Sequence, residues 1–176
     1  MEIEKVSDRK VRDEWKPLWG KRAVVEDHFN ELVIDLVNPA GQPERMQLVV
    51  RGYNDGFAFC YKIPDGKGPC VNVQSELTAY NFAGDYTAWF YNGENHNIGP
   101  EKLTETDGTR LPVMTVKAGD KHYMAIHEAC LETGAPLVLQ SKGGNRSFRS
   151  LPSRPVCRRD IHQPGVSFCM GRHLAC

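Results

Sequence analysis

Residues 45–64, RMQLVVRGYNDGFAFCYKIP, constrain the fold more than any other part of the sequence. Asn54-Asp55-Gly56 separates two apolar runs, and these residue types tolerate the left-handed backbone that hairpin loops need. In the second run, large apolar side chains recur at every second position, namely Phe57, Phe59, Tyr61 and Ile63. This alternation is typical of a β-strand with one buried face. The stretch therefore predicts a β-hairpin in the core of a β domain.

Other short strands separated by turns flank this hairpin. Residues 28–38, HFNELVIDLVN, alternate between two sides in the manner of a strand. Residues 111–116 and 122–129 lie on either side of Ala118-Gly119-Asp120 and predict a second hairpin. Farther on, Gly143-Gly144 separates two more short strands. Several strands at such short spacing predict an all-β fold, either an antiparallel sandwich or a barrel.

Two segments lack this alternation. Residues 1–21 are polar, and Pro17 and Gly20 would break a helix there, so the segment is predicted to be an extended arm or a loop. Residues 92–108 are rich in Asn, Gly, Glu and Thr and are predicted to form a long loop, of a kind that often carries function. No convincing long amphipathic helix is indicated in the sequence.

Composition narrows the class of protein. At 176 residues the chain is long enough for one domain with a real core. Lysine and arginine together number 22, as do aspartate and glutamate, so no overall charge would attract nucleic acid or an anionic membrane. No apolar run approaches the length of a membrane span, and the first residues are charged where a signal peptide needs an apolar stretch. We therefore expect neither a nucleic-acid partner nor a membrane span.

The character of the sequence changes after about residue 151. Residues 152–176 hold three of the six cysteines together with several arginines, and they show little alternation. This tail contains enough soft ligands for zinc, but their spacing matches none of the tight pairs of structural zinc sites. The sequence therefore predicts a domain over residues 1–151 and an atypical tail that does not belong to it.

Glu128 is the first candidate for a functional residue. Alternation places it on the side of a strand that Met124 and Ile126 occupy. A carboxylate buried there would need a cation, a metal ion, a hydrogen-bond donor or the edge of the domain; alternatively, the strand has already ended and Glu128 reaches solvent. Calcium would suit a carboxylate that is supplemented by other oxygen ligands. Glycoside hydrolysis needs two carboxyl groups that face one sugar bond. The sequence offers no second carboxylate whose position relative to Glu128 can be predicted.

Trp89 is the second candidate. It lies in the aromatic run YTAWFY of residues 86–91, whose flat apolar rings suit the faces of sugars. At strand spacing the same rings would also suit the core of the domain. Trp89 is accordingly a candidate for substrate binding, with a purely structural role as the alternative.

Four separated blocks carry a family resemblance. They are DEWKPLWGK at residues 13–21, DHFNELVIDL at 27–36, VVRGYNDGFAFCYKIP at 49–64 and SELTAYNFAGDYTAWFY at 75–91. In order and spacing they make residues 6–151 similar to the amino-terminal domain of glycoside hydrolase family 97. The stretch YMAIHEACL at residues 123–131 is similar to the block near the end of that domain.

The resemblance implies a fold and a role. Family members are calcium-dependent α-glycosidases that act on α-glucosides with inversion or on α-galactosides with retention. They consist of a galactose-mutarotase-like β-supersandwich, a catalytic β/α-barrel and a small carboxy-terminal β domain. Their catalytic residues sit on the barrel, so the resemblance implies no catalytic residue in this chain. It implies that Glu128 is the glutamate that reaches the active site as a calcium ligand, in a bacterial periplasmic or secreted enzyme.

The sequence departs from the family in three places. Cys60 stands where the family usually has an arginine. The family's sandwich begins with strands upstream of Met1, so the resemblance implies a sandwich that is incomplete at the amino terminus. After Leu151 we find no block that leads into the barrel, which suggests a truncated or frame-shifted reading frame.

Three functions follow from these observations. The first is a non-catalytic amino-terminal sandwich that braces the missing barrel and supplies Glu128 to calcium. The alternative is a free-standing carbohydrate-binding sandwich module that uses Trp89 and has no hydrolase activity. The third is an inert product that aggregates through unpaired strand edges.

Overall fold

A computed structural model describes residues 1–40, 45–62, 77–93, 97–130, 136–151 and 166–170, with only the backbone for residues 129–130, 151 and 166–170. Every regular element in these ranges is a β-strand. The strands are β1 (Glu2–Trp15), β2 (Val25–Val37), β3 (Arg45–Tyr53), β4 (Gly56–Lys62), β5 (Ala79–Asn81), β6 (Thr87–Tyr91), β7 (Asn97–Lys102), β8 (Asp107–Lys117), β9 (Tyr123–Cys130), β10 (Val138–Lys142), β11 (Ser147–Leu151) and β12 (Val166–Met170). Over the described ranges, no helix is long and apolar enough to cross a membrane.

The strands form two layers that share β8. The larger layer has the order β1-β2-β3-β4-β12-β9-β8-β6-β7, and the smaller layer has the order β8-β10-β11-β5. All neighbouring strands are antiparallel. The predicted all-β antiparallel sandwich is therefore confirmed.

One long strand, β8, connects the layers. Its first residues, 107–110, pair with β10 in the smaller layer. Residues 111–117 pair with β6, and residues 114–117 pair with β9 in the larger layer. The strand therefore turns a corner of the sandwich, which holds the smaller layer over β6, β8 and β9.

The hydrophobic core lies between the smaller layer and these three strands, and we call this part the closed half. Phe90 on β6 and Phe148 on β11 face each other across the layers, with ring centroids 5.6 Å apart. The core contains buried residues from both layers, namely Tyr80, Ala88, Phe90, Leu103, Met114, Val116, Ile126, Leu137, Leu139 and Phe148. Phe59 and Tyr61 on β4 pack against its edge.

The part formed by β1, β2 and β3, here called the open half, has an apolar face of the same kind. Strand register aligns Val6 with Ile34 and Leu48, and it aligns Leu32 with Val50 and Phe59. Directly opposed residues share a face, so these side chains continue the inner face of the sandwich. Val6 is nevertheless 52 % exposed and Leu32 is 36 % exposed. The smaller layer thus leaves this face uncovered.

The opposite face of the open half is built around a buried carboxylate. Glu31 is only 6 % exposed and accepts hydrogen bonds from Nε of Arg9 at 2.5 Å and Nε of Arg51 at 2.8 Å. The Arg51 guanidinium also lies 4.4 Å from the ring centroid of Phe29, which itself is 4 % exposed. Burial acts to raise the pKa of Glu31, but the hydrogen bonds and charges of the two arginines outweigh it and hold that pKa below its usual value.

The two segments without alternation are not simple loops. Residues 2–15 pair with β2 along their whole length as an edge strand, because backbone pairing needs no apolar face. Residues 97–102 form β7, which pairs with β6. The prediction of a loop for residues 97–102 was wrong, whereas residues 2–15 take the extended form that was one of the two alternatives for the first segment.

The hairpins agree with the sequence predictions. Tyr53 pairs with Gly56 around the predicted turn, and the backbone N–H of Ala118 donates to the carbonyl of His122 at 2.9 Å. Gly143 and Gly144 take positive φ values of 65° and 63° between β10 and β11. Phe57 differs from the prediction because it sits next to the turn and is 44 % exposed. Ile63, also predicted to face the core, lies outside the described residues.

Most of the predicted tail lies outside the described residues. The backbone of β12 within it pairs with β4 on one side and with β9 on the other. The predicted boundary at residue 151 stays a prediction.

Candidate functional site

Glu128 lies at the edge of the core, where the two layers meet. It follows Ile126 on the inner face of β9, and Ile126 is 2 % exposed. Oε2 of Glu128 accepts a hydrogen bond from the backbone N–H of Leu137 at 3.2 Å. Leu137 directly precedes β10 in the smaller layer and is itself buried. The carboxylate therefore ties the end of β9 to the start of β10.

The environment of Glu128 disfavours its charged form. Burial raises the pKa of the Glu128 carboxyl above its usual value, and the hydrogen bond from Leu137 offsets this only in part. The ionised side chain therefore costs stability, which declines as the pH rises through this raised pKa. A cation placed next to the carboxylate would remove that cost.

Glu128 could supply at most one oxygen-donor side chain to a calcium ion. A half-buried carboxylate with a raised pKa is a hard oxygen donor whose charge a cation would favour. In the described part of the chain, no group of three or more His, Cys, Asp or Glu side chains could hold a metal ion. Calcium prefers roughly six to eight oxygen ligands, so most of them would have to come from outside these residues.

Trp89 lies on the other face of the same sheet. Its neighbours Ala88 and Phe90 point into the core and are 0 % and 1 % exposed, whereas Trp89 is half-buried. Register places Trp89 opposite Thr115, which in turn is opposite Ala125. The two predicted site residues, Glu128 and Trp89, therefore do not come together in one site.

The sequence did not indicate the cluster of Glu31, Arg9 and Arg51. Arg9 and Glu31 are 22 positions apart, and Arg51 follows Glu31 by 20 positions, so only the pairing of β1, β2 and β3 brings them together. One sequence feature indicates that Glu31 is buried, because alternation places it on the same strand face as Phe29 and Val33. Because two guanidinium groups neutralise this carboxylate, the cluster is a structural ion-pair network without a reactive group.

Two solved structures with a similar fold are those of a glycoside hydrolase and of a β-arabinopyranosidase. A glycoside hydrolase family 97 enzyme from Pseudoalteromonas sp. strain K8, solved in complex with acarbose, superimposes with a TM-score of 0.78 at 23 % identity, covering 96 % of this chain and 26 % of that one. A β-arabinopyranosidase structure gives a TM-score of 0.74 at 15 % identity, covering 97 % of this chain and 32 % of that one. The chain thus has a sandwich fold that occurs as part of larger glycosidases.

The family follows from the sequence comparisons. The family model described as Glycosyl-hydrolase 97 N-terminal matches residues 1–156. The chain belongs to this family, which confirms the resemblance that the four sequence blocks indicate.

Two curated relatives extend well beyond the matched region. A probable retaining alpha-galactosidase of Streptomyces bingchenggensis is 31 % identical over 124 residues, covering 69 % of this chain and 16 % of the relative. A retaining alpha-galactosidase of Bacteroides thetaiotaomicron is 29 % identical over 159 residues, covering 80 % of this chain and 23 % of the relative. The chain therefore spans less than a quarter of the length of either.

Proposed function

We propose that this chain is a non-catalytic sandwich domain that braces the catalytic β/α-barrel of an α-glycosidase and supplies Glu128 as one calcium ligand. The observation that carries the proposal is the state of Glu128, a half-buried carboxylate with a raised pKa and a backbone donor on Oε2. Membership of the family and the names of the curated relatives support the carbohydrate substrate. The substrate would be an α-galactoside or an α-glucoside.

The role of Glu128 follows from its surroundings. The N–H of Leu137 fixes one carboxylate oxygen, and the core residue Ile126 precedes Glu128 by two positions on the same strand face. The side chain is thus preorganised and loses little rotational freedom when a cation binds. Calcium, when bound, would supply a fixed positive field next to the scissile bond. Glu128 would orient that field without transferring protons.

We also propose where the catalytic residues lie and in which compartment the whole enzyme acts. The catalytic acid, and the base or nucleophile, would come from a barrel outside this chain, because only burial and the Leu137 N–H shift the pKa of Glu128 and no second carboxyl group of the described residues acts on it. The whole enzyme would act in the bacterial periplasm or outside the cell. No step of hydrolysis itself is assigned to residues of this chain.

A chimeric enzyme tests this proposal. The region of the Bacteroides thetaiotaomicron alpha-galactosidase that matches this chain is replaced by this chain, and hydrolysis of nitrophenyl α-galactoside is followed against calcium concentration. We expect Glu128→Gln to raise the calcium requirement at least about tenfold, since loss of even an outer-sphere partner costs metal affinity about 10- to 100-fold. Glu26→Gln is the matched control, because the Glu26 side chain is 76 % exposed on β2.

The outcomes are distinct. A calcium requirement of the chimera that Glu128→Gln leaves unchanged would contradict the ligand role. A chimera that folds and remains inactive at every calcium concentration, while the parent enzyme is active, would contradict the bracing role.

The alternative function keeps one observation in its favour. Trp89 lies on the outer face of the sheet and not in the core, so it is accessible to a sugar. A free-standing carbohydrate-binding module would bind sugar and would give no active chimera. The chimera therefore separates the two functions.

A further inference from the structure

The outer face of the closed half carries aromatic and hydroxyl side chains in a regular array. Trp89, Thr115 and Ala125 form one row across β6, β8 and β9, and Thr87, Lys117 and Tyr123 form the next row. We call the surface of these six residues the outer platform. Tyr123 is 59 % exposed, Ala125 is exposed, and Trp89 and Thr115 are half-buried.

The two aromatic residues stand at opposite corners of the outer platform. Trp89 on β6 belongs to the first row and Tyr123 on β9 to the second, with Thr115 and Lys117 of β8 between their strands. Neighbouring strands lie about 4.8 Å apart, so these two strands are about 10 Å apart. A disaccharide or trisaccharide that crosses the strands on this diagonal can reach both residues.

A glycine fixes Trp89 in this position. Gly99 on β7 has a φ of +119°, and a Cβ built on it would lie 3.1 Å from Cδ1 of Trp89 and 3.0 Å from its Cα. Only a residue without a side chain leaves this space to the indole. The indole of Trp89 therefore lies next to the backbone of β7 at Gly99.

The chemistry of the platform fits a neutral sugar. Its two aromatic residues offer flat faces for the C–H side of a pyranose ring, and Thr87, Thr115 and Tyr123 offer hydroxyl groups for its rim. Lys117 is the one charged residue among the six, so the surface lacks the cluster of cations that a nucleic acid requires. The inner face of the open half differs, since Val6, Leu32 and Ile34 present aliphatic side chains without rings.

We propose that the outer platform binds an α-linked oligosaccharide, at a site on the opposite face of the sheet from Glu128. The choice of an α-linked ligand rests on the proposed function, whereas the platform itself rests on the geometry. The site would hold a substrate chain close to the enzyme without taking part in hydrolysis.

Titration of the full 176-residue chain with maltotriose and with raffinose tests the proposal, with cellotriose as the β-linked control. Binding is measured by calorimetry and by the NMR signal of the indole N–H of Trp89. We expect saturable binding of at least one α-linked probe that Trp89→Ala weakens about tenfold. Trp19→Ala is the matched control, because Trp19 is 88 % exposed and lies outside the platform, and it should leave binding unchanged.

A second pair of variants tests the platform even if Trp89→Ala does not fold. Ala125 is exposed, so Ala125→Arg places a long charged side chain on the platform without touching the core, and Ala125→Ser keeps this position short. We expect Ala125→Arg to abolish binding and Ala125→Ser to retain it, with the β spectrum unchanged in both.

Several results would overturn the proposal. They are a folded wild-type chain that binds neither α-linked probe, equal binding by Ala125→Arg and Ala125→Ser, or self-association of the chain that Ala125→Arg disrupts, which would make the platform a protein interface. Equal affinity for cellotriose would overturn the linkage alone. None of these results depends on Glu128, so they are distinguishable from failure of the calcium proposal.

Discussion

The closed and open halves of the large sheet carry the same kind of inner face with different burial. Val116 in the closed half is 0 % exposed, whereas Leu32 in the open half is 36 % exposed and Val6 is 52 % exposed. All three are aliphatic residues on the inner face of strands whose side chains alternate between two faces. The difference lies in the smaller layer, which covers β6, β8 and β9 and stops short of β1 to β3. Alternation therefore specifies which face is apolar, and a second layer decides whether that face is buried.

The two halves are also stabilised differently. The closed half relies on apolar burial between layers, with Phe90 and Phe148 in contact. The open half relies on strand pairing and on its opposite face, where the ion pairs of Glu31 lie beside the buried residues Phe29 and Val49. Substitutions that are equivalent by residue type should therefore have unequal effects in the two halves.

The largest effect is expected for Phe148→Ala, which opens a cavity in the closed half. Phe148 is fully buried, so we expect a loss of about 3–5 kcal/mol in the free energy of unfolding. The matched substitution Leu32→Ala in the open half should cost only about 1 kcal/mol, because Leu32 is partly in water already. Urea unfolding at fixed protein concentration measures both. Equal losses would mean that something covers the open half in solution.

The next effect concerns the polar face of the open half. Glu31→Gln leaves Arg9 and Arg51 without their carboxylate, and we expect a loss of about 2 kcal/mol near neutral pH. The pKa of Glu31 is lowered in the folded chain, so its contribution is present above the pKa of the unfolded state and is lost as the pH falls through the folded value. The difference between wild type and variant should therefore shrink in acid. A difference that is independent of pH would exclude the ion pairs as its cause.

A smaller effect of opposite sign is expected at Glu128 in the closed half. Burial raises the pKa of Glu128, so its ionisation reduces stability as the pH rises through that value. Without calcium, Glu128→Gln should stabilise the chain near neutral pH by less than about 1 kcal/mol and change nothing in acid. Thermal unfolding across pH measures this, with Glu26→Gln as the exposed control. Destabilisation by Glu128→Gln would show that the carboxylate already has a cation partner.

The fourth measurement is the hydrolysis of nitrophenyl α-glucoside and α-galactoside by this chain, and here we expect no turnover. Among the described residues no second carboxyl group acts on Glu128, and the opposed carboxylates Asp13 and Asp27 lie on β1 and β2 in the open half, so turnover should be absent with calcium and with a chelator. Calcium-dependent turnover would contradict the assignment of catalysis to a separate barrel.

The sequence predicted the strands whose patterns are local. The hairpins of β3 with β4 and of β8 with β9 follow from alternation around short turns, and both are present. Strand β1 was missed because an edge strand exposed on both faces needs no alternation. Strand β7 was missed because its segment is rich in Asn, Gly, Glu and Thr and lacks alternation, so only the pairing with β6 shows it.

The sites were predictable only in part. Alternation indicated a buried environment as one alternative for Glu128, but its donor, Leu137, lies in another layer, and the pairing of β9 is irregular next to Glu128. Trp89 could not be assigned to a face, because Ala88 and Phe90 beside it are also apolar and only the register with β8 separates them. The partners of Glu31 are 20 and 22 positions away in sequence, beyond the reach of any periodicity.

The shared strand β8 has a consequence for how the chain is assembled. Because β8 belongs to both layers, every residue of the core cluster, from Tyr80 to Phe148, lies within one uninterrupted stretch of the polypeptide. The contacts that close the sandwich nevertheless join residues distant in sequence, since Phe148 packs on Phe90 and pairs with Tyr80, and such non-local pairing slows folding. Strands β1 to β3 lie outside this stretch and extend the larger layer beyond β4. The closed half thus collects the core cluster in the later part of the chain, and the open half adds strands to its sheet.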